Sequence, residues 1–364
     1  MKRIALAPSR PEVTRYFHPV LPASRLRKAP VQVQIAGTAY ALFRDERGRA
    51  AALHDRCPHR FAPLSKGHVR PDGRLACAYH GWNFDREGRG QSPSQPGLTK
   101  CDVPTMQLVE RHGYFWLAEH GVAPSTIPEL SAPGYRFCGA FPVRFDAPLH
   151  VAFDNFSEDE HTPFVHTRLG WTEEGCGDIA FDAENFPDRT EVHYAAPQRP
   201  SRVARIFGLR AGDRFHNDWV TRFDPVHTIY TTQWKDPKTH APRPISIRSP
   251  IFFVPETETT TLLHTFVFTK LDGHLARFFP ILKHLATAMA WGEIRDDAAF
   301  IPTVKGTPRS LDGMRLGKYD KPIIHNHRLL ERLYWGGETP AARSGSDPMD
   351  PEPTNTYLSR KRER

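Results

Sequence analysis

Four side chains able to bind metal stand close together in the stretch CPHRFAPLSKGHVRPDGRLACAYHGW: Cys57 and His59, then, after 17 intervening residues, Cys77 and His80. Two cysteines and two histidines can hold a tetrahedral zinc ion, or the kind of [2Fe–2S] cluster in which thiolates bind one iron and imidazoles the other. The grouping of the ligands discriminates. Zinc fingers usually set cysteine beside cysteine and histidine beside histidine, whereas here each short loop supplies one of each. Two such loops facing each other at hairpin tips would deliver two thiolates to one iron and two imidazoles to the other. The Pro, Gly and aromatic residues around them suit loops that bury a cluster while leaving the histidine edge open for electron exit. Neutral imidazole ligation raises a cluster's potential, so such a centre accepts electrons readily and something must use them. His54, His68 and Trp82 read as packing or surface residues, not ligands.

The candidate user is FDNFSEDEHTPFVH, residues 153–166. His161 and His166 are five apart, which on a straight helix sets them about 140° from each other. They can share a metal only if the helix ends or bends between them, and Pro163 lies there. A third ligand is offered by RDDAAFI, with Asp296 and Asp297. Two histidines and one carboxylate on one face leave positions open for O2 and substrate, the arrangement of non-haem Fe(II) oxygenases. Taken alone, SEDE also reads as capping charges at the start of a solvated helix.

The elements that must position these groups fall into two units. From residue 31 to about 120 the chain reads as short strands and turns: VQVQIAG, a hairpin through AYALFRDERGRAAALHD, then RLACAYHGWNFDREGRG and HGYFWLAEHG. GVAPSTIPELSAPGY, with three prolines, looks like a domain connection. Beyond it come a strand RFCGAFPVRF, a short helix around 149–162, and strand-like runs near 190–195, 203–210, 218–234, 245–254 and 259–270. LARFFPILKHLATAMAWGEIRDDAAFI carries the strongest helical periodicity, with Pro280 a possible bend, and KPIIHNHRLLERLYW is a last amphipathic helix. The second unit is therefore α+β, an antiparallel sheet with helices on it. No internal repeat is visible.

Bulk properties exclude several classes. Five cysteines argue against a disulfide framework and for a reducing compartment. No apolar run reaches the ~20 residues of a membrane helix, and the opening MKRIALAPSRPEV lacks a secretory apolar region. A cytoplasmic protein without an integral membrane segment is expected. The net charge of +8 is spread along the chain, with no basic run before the terminal SRKRER, which argues against nucleic acid.

At its two donor sets the chain resembles the Rieske non-haem iron oxygenases, in particular the alpha (oxygenase) subunits of the dicamba monooxygenase, vanillate demethylase and aminopyrrolnitrin oxygenase group. The likeness rests on Cys-x-His, 17 residues, Cys-x-x-His and Gly-Trp, on the acidic-Asn-x-x-acidic-x-x-His-x4-His run, and on an acidic pair in a late helix; it spans roughly residues 12–335. It implies a Rieske domain at 12–122, a helix-grip (START-like) catalytic domain at 123–337 and a disordered tail at 338–364. Carried over, Cys57, His59, Cys77 and His80 hold the cluster, and His161, His166 and Asp297 hold a mononuclear Fe(II), with Asp296 as the alternative carboxylate. Three residues before the first histidine the family has an Asp that bridges a metal histidine of one subunit to a cluster histidine of its neighbour; here stands Glu158. Asp154 is a second candidate for orienting His161, and Asn155 is expected near the iron.

The resemblance further implies O2-dependent monooxygenation or oxidative demethylation of a small aromatic or heterocyclic molecule. Ring cis-dihydroxylation is the alternative, and a Rieske-type electron carrier the non-enzyme one. With three cysteines left over and no Gly-x-Gly-x-x-Gly after a strand, electrons from NAD(P)H must come through a separate flavin reductase, a ferredoxin, or both. Bridging through Glu158 implies a head-to-tail homotrimer.

Overall fold

The computed structural model describes residues 11–98 and 101–335. The expected tail at 338–364 lies outside them. After one helical turn, α1 (Pro11–Thr14), come β1 (His18–Pro22), β2 (Val31–Ile35), β3 (Thr38–Arg44) and β4 (Ala50–His54). Four two-residue strands follow, β5 (His68–Val69), β6 (Leu75–Ala76), β7 (Asn83–Phe84) and β8 (Gly90–Gln91), then β9 (Thr105–Arg111) and β10 (Tyr114–Ala118). The longer strands make an antiparallel sheet ordered β1-β10-β9-β4-β3-β2, and the short ones a second sheet ordered β5-β6-β7-β8.

Two of these hairpins turn on the same five-residue device. In DERGR, the Asp45 carboxylate accepts from the N–H groups of Arg47 (3.0 Å) and Arg49 (2.9 Å) and from Arg49 Nε (2.8 Å). In DREGR, Asp85 does the same with Glu87 (3.1 Å), Arg89 (2.8 Å) and Arg89 Nε (2.8 Å). Gly48 and Gly88 take the left-handed conformation each turn needs, at φ +76° and +79°.

The second unit runs β11 (Arg136–Phe145), α2 (Leu149–Asp154), α3 (Thr162–Val165), β12 (Ala180–Asn185), β13 (Arg189–Pro197), α4 (Arg202–Ile206), β14 (Arg214–Phe223), β15 (Val226–Lys235), β16 (Pro242–Pro255), β17 (Thr261–Leu271), α5 (Phe279–Phe300) and α6 (Lys321–Tyr334). Its strands form one antiparallel sheet ordered β11-β17-β16-β15-β14-β13-β12. Helix α5 lies across β11 and β17. It buries Phe279, Leu282, Ala286 and Met289 at helical spacing and carries Asp297 on its buried side.

Several expectations are corrected. Residues 203–210 form no strand: the alternation in RVARIFGL is overridden by Ser201, whose Oγ accepts the Ala204 N–H at 3.2 Å and caps the one-turn helix α4. Pro280 does not bend α5, because it sits in the first turn, where no helical N–H is lost. The helix expected over 149–162 is two separate turns, α2 and α3. Strands β9 and β12 were not expected, β12 being a largely exposed edge. The Pro-rich connection at 121–135 is packed, with Ile127 and Leu130 in one cluster with Trp116, Phe252 and Phe266. A larger core joins Leu42 and Phe115 of the first sheet to Phe153, Phe253 and Tyr334 of the second unit, so the two units share an interior.

Candidate metal centres and their pocket

The first donor set sits on two loops with the same backbone frame. Cys57 N–H donates to Ala62 O at 2.9 Å and Cys57 O accepts from Phe61 N–H at 2.8 Å; Cys77 N–H donates to Trp82 O at 2.7 Å and Cys77 O accepts from Gly81 N–H at 3.0 Å. The fifth residue of each loop is left-handed, Phe61 at φ +61° and Gly81 at φ +70°. A non-glycine residue there costs about 1 kcal/mol or more, and the Arg56 guanidinium lying 3.8 Å over the Phe61 ring helps to hold it. Both thiols are buried and next to each other; burial first, then the neighbouring Cys77, pushes the Cys57 thiol up to about 11. Both imidazoles are exposed, with ring centres 4.5 Å apart. Trp82, read from the sequence as packing, stacks on the His59 ring at 4.9 Å.

This layout tests the metal. A single tetrahedral ion needs its donor atoms within about 4 Å of one another. Among the described residues, no three of these four donors gather within 4.8 Å; thiols pair with thiol and imidazole with imidazole, as a two-iron cluster requires.

The second set does gather. His161 Nε2 and His166 Nε2 are 3.2 Å apart, and Asp297 Oδ1 lies 3.5 and 3.3 Å from them. Three electron-pair donors face one another, and Asp297 Oδ1 has no hydrogen-bond partner. Ligands 90° apart on bonds of ~2.1 Å would lie about 3 Å from each other, so the trio fits one face of a six-coordinate cation. The local fold explains the spacing. Pro163 opens α3 instead of breaking it; His161 caps that single turn, and His166 leaves it in extended conformation at φ −96°, ψ 152°.

Around the trio, His161 Nδ1–H donates to Glu158 Oε1 at 2.5 Å, and Glu158 Oε2 accepts the His161 backbone N–H at 3.2 Å. Burial opposes charge on His161, yet the Glu158 hydrogen bond and the nearby carboxylates raise it to about 9. Burial, then His161 and Arg199, lowers His166 to about 3. Burial pushes Asp297 up to about 7, against the pull of His161 and of the Asn155 amide beside it. Asp296 is turned outward onto Arg168 at 2.6 Å, which leaves Asp297 as the carboxylate of the trio.

Asp154 does not orient His161. It ends α2, and its carboxylate accepts from His327 Nε2 of α6 at 2.8 and 3.0 Å, because no continuous helix links it to His161. Two groups went unforeseen. Glu293, one turn before Asp297, brings Oε2 to 3.1 Å from His166 Nδ1, though off the line of a hydrogen bond. Burial, opposed by Arg168, raises it to about 8. Arg199 donates to the backbone oxygens of His166 and, at 3.3 Å, Pro163. The Glu-x-x-x-Asp spacing on α5 was the available signal for Glu293; none marked Arg199. The guanidinium of Arg168 reaches its two acids across Gly292, where a Cβ would come within 2.9 Å of Arg168 Cζ.

The trio opens into a cavity of about 150 Å³ between α3, α5 and the inner face of the sheet. Asn155, Glu158, Glu293 and Asp297 line it, with Phe156, Leu169, Phe215, Ile247, Ile251 and Met289 as apolar wall. Of the other aromatic residues of the second unit, Phe207, Trp219, Phe252 and Phe266 are core and Trp291 is exposed. Among the described residues no lysine or arginine, and no histidine besides the pair, lines the cavity.

Comparison with known proteins agrees with this geometry. Residues 17–106 match the Rieske [2Fe-2S] domain and residues 145–299 the vanillate O-demethylase oxygenase C-terminal domain. The chain belongs to the Rieske non-haem iron oxygenases, as an alpha subunit with both of that family's iron centres. Among similar proteins, chlorophyllide a oxygenase of Chlamydomonas reinhardtii is 30% identical over 164 residues, 43% of this chain and 25% of that protein. The oxygenase component of dicamba O-demethylase of Stenotrophomonas maltophilia is 35% identical over 159 residues, 41% and 46%. The crystal structure of dicamba monooxygenase bound to dicamba shares the fold at TM-score 0.72 and 22% identity, covering 88% of this chain and 97% of that one. The chain spans only about a quarter to a third of the first curated relatives it matches. Among the described residues no helix is long and apolar enough to cross a membrane.

Proposed function

We propose that this chain is the oxygenase component of an O2-dependent system that oxidises a small organic molecule by monooxygenation or oxidative demethylation. The observation that carries the reading is the meeting of His161 Nε2, His166 Nε2 and Asp297 Oδ1 at a largely apolar cavity. In it, Cys57, Cys77, His59 and His80 hold the cluster, and His161, His166 and Asp297 hold the iron. The cluster supplies single electrons and the ferrous iron the site at which O2 is activated. Overall, RH + O2 + 2 e⁻ + 2 H⁺ gives ROH + H2O. When the carbon is an O- or N-methyl group, the hydroxymethyl product breaks to formaldehyde and the free hydroxyl or amine.

The residues have separable tasks. Glu158 holds the proton on His161 Nδ1, which leaves the Nε2 lone pair for the metal. Asn155 sets its amide beside the Asp297 carboxylate and favours its charged form. The apolar wall keeps bulk water from the reacting carbon. A volume of about 150 Å³ takes roughly one aromatic ring. Domains at 12–122 and 123–337, a cytoplasmic location, supply from NAD(P)H through a flavin reductase or ferredoxin, and a head-to-tail homotrimer with Glu158 at the joint complete the reading.

The test is reconstitution with a flavin reductase, a ferredoxin, NADH and ¹⁸O2 against a panel of single-ring methyl ethers, N-methyl heterocycles and alkyl aromatics. Product carrying one labelled oxygen, or formaldehyde release, is expected from the native chain and not from His161→Ala. Two labelled oxygens on adjacent ring carbons would make it a dioxygenase. Cluster reduction without labelled product from any member would leave an electron carrier.

A further inference from the structure

We infer that the pocket selects an uncharged or cationic substrate bearing a hydrogen-bond donor, and that Asp159 is the residue that reads that donor. The inference rests on the oxygenase reading and narrows its substrate class.

The cavity is lined by four carboxylates, Glu158, Asp159, Glu293 and Asp297, and by no lysine or arginine. Three of the four have work at the metal histidines: Asp297 completes the trio, Glu158 holds His161, and Glu293 stands against His166. Asp159 does not. It is 9% exposed; its Oδ1 accepts the Thr162 hydroxyl at 3.2 Å, and its Oδ2 lies buried without a hydrogen-bond partner. The Asn217 amide stands beside it, with Asn217 Oδ1 taken by the Thr232 hydroxyl at 2.8 Å. On β17, Thr265 lines the same cavity at 1% exposure, and its Oγ1 also lacks a partner. Buried polar atoms are almost always paired. Of the six partnerless ones on this cavity, those of Asn155, His166, Glu293 and Asp297 cluster at the trio, and those of Asp159 and Thr265 are left to a ligand or water.

The sign of the preference follows from the charges. The arginines beside the trio are already engaged: Arg168 on Asp296 and Glu293, Arg199 on the backbone oxygens of His166 and Pro163, and neither lines the cavity. A carboxylate or sulfonate entering the pocket would give up its hydration with no lysine or arginine to replace it, would find the metal already faced by Asp297, Glu158 and Glu293, and would meet Asp159. An N–H, O–H or ammonium group would instead find the free Asp159 oxygen as acceptor, with the Thr265 hydroxyl as a second polar contact. The remaining wall is apolar and rewards a ring.

The experiment measures binding, not turnover, in the full-length protein with its iron content verified. Benzylamine, benzyl alcohol, anisole and benzoate share one ring and differ in charge and donor, and calorimetry gives a dissociation constant for each. Expected is that benzylamine and benzyl alcohol bind more tightly than anisole, and that benzoate binds weakest. Asp159→Asn should weaken the two donor-bearing probes about 5- to 100-fold, as loss of a hydrogen bond to a buried carboxyl oxygen does, while leaving anisole unchanged. Thr265→Val, nearly isosteric, should act in the same direction but less, and serves where Asp159→Asn does not fold. Benzoate binding as well as benzyl alcohol, donor probes binding no better than anisole or not at all, or variants that leave the order untouched would each overturn the inference. Labelled product from anionic substrates would sink the inference and spare the oxygenase reading; the expected binding order with no oxidation would do the reverse.

Discussion

In the N-terminal unit four candidate ligands sit on two six-residue loops whose backbones repeat the same hydrogen bonds, thiols inside and imidazoles at the surface. In the C-terminal unit three candidate ligands come from the ends of a single helical turn and from within a 22-residue helix, the two histidines part-buried to buried and the carboxylate fully buried, around one point. The first site is made by local turn chemistry, and its exposed edge suits electron transfer. The second is made by tertiary packing, and its burial suits chemistry kept from water.

The sharpest way to break this contrast is Cys57→Ser. It should remove the cluster, and with it about two irons, two sulfides and the colour, while leaving the trio able to hold one iron. Loss of all iron would mean that the two sites do not fold independently. Next comes Asp297→Asn against Asp296→Asn. The first removes the charged ligand and should empty the mononuclear site; the second removes only a partly exposed partner of Arg168 and should keep it filled. Equal iron loss in both would contradict the assignment of Asp297. Smaller again is Glu158→Gln, which retains shape but weakens the hold on His161, and should cost about 10- to 100-fold in iron affinity by chelator competition.

A last effect, on stability and not on metal content, concerns the interior shared by the two units. Burial holds His18 neutral down to about 4 and His264 down to about 3. An unfolded histidine titrates near 6.5, so between about 6.5 and about 4 the unfolded chain takes up protons that the folded chain refuses. Stability should therefore fall as pH drops through that window, by up to ~1.4 kcal/mol per pH unit per histidine. Urea unfolding at pH 7 and pH 5 should show this for the native chain and a shallower fall for His264→Gln.

The same contrast governs what the sequence could reveal. Cys57, His59, Cys77 and His80 were legible with their chemistry because grouping and spacing are local properties. So was the β3–β4 hairpin, through its Asp-Glu-Arg-Gly-Arg turn. The His161/His166 pair was legible only as a puzzle, since five-residue spacing suits a shared metal only where a helix stops. In the sequence only the resemblance favours Asp297 over Asp296; the physical reason is the packing of α5, which turns one inward and the other onto Arg168. Asp154 misled because its helical phase relative to His161 holds only on a continuous helix, and the chain breaks between α2 and α3. α4 misled because alternation in a five-residue stretch cannot distinguish a strand from one capped turn. Glu293 and Asp159 acquire meaning only from a cavity that no sequence window contains.

The most direct test of the two-centre account is iron, sulfide and zinc content with EPR of the dithionite-reduced protein, before and after His161→Ala. The account predicts about three irons and two sulfides per chain with a Rieske-type signal, falling to about two irons in the variant with that signal intact. Zinc without a signal, or a variant that loses signal and iron together, would contradict it.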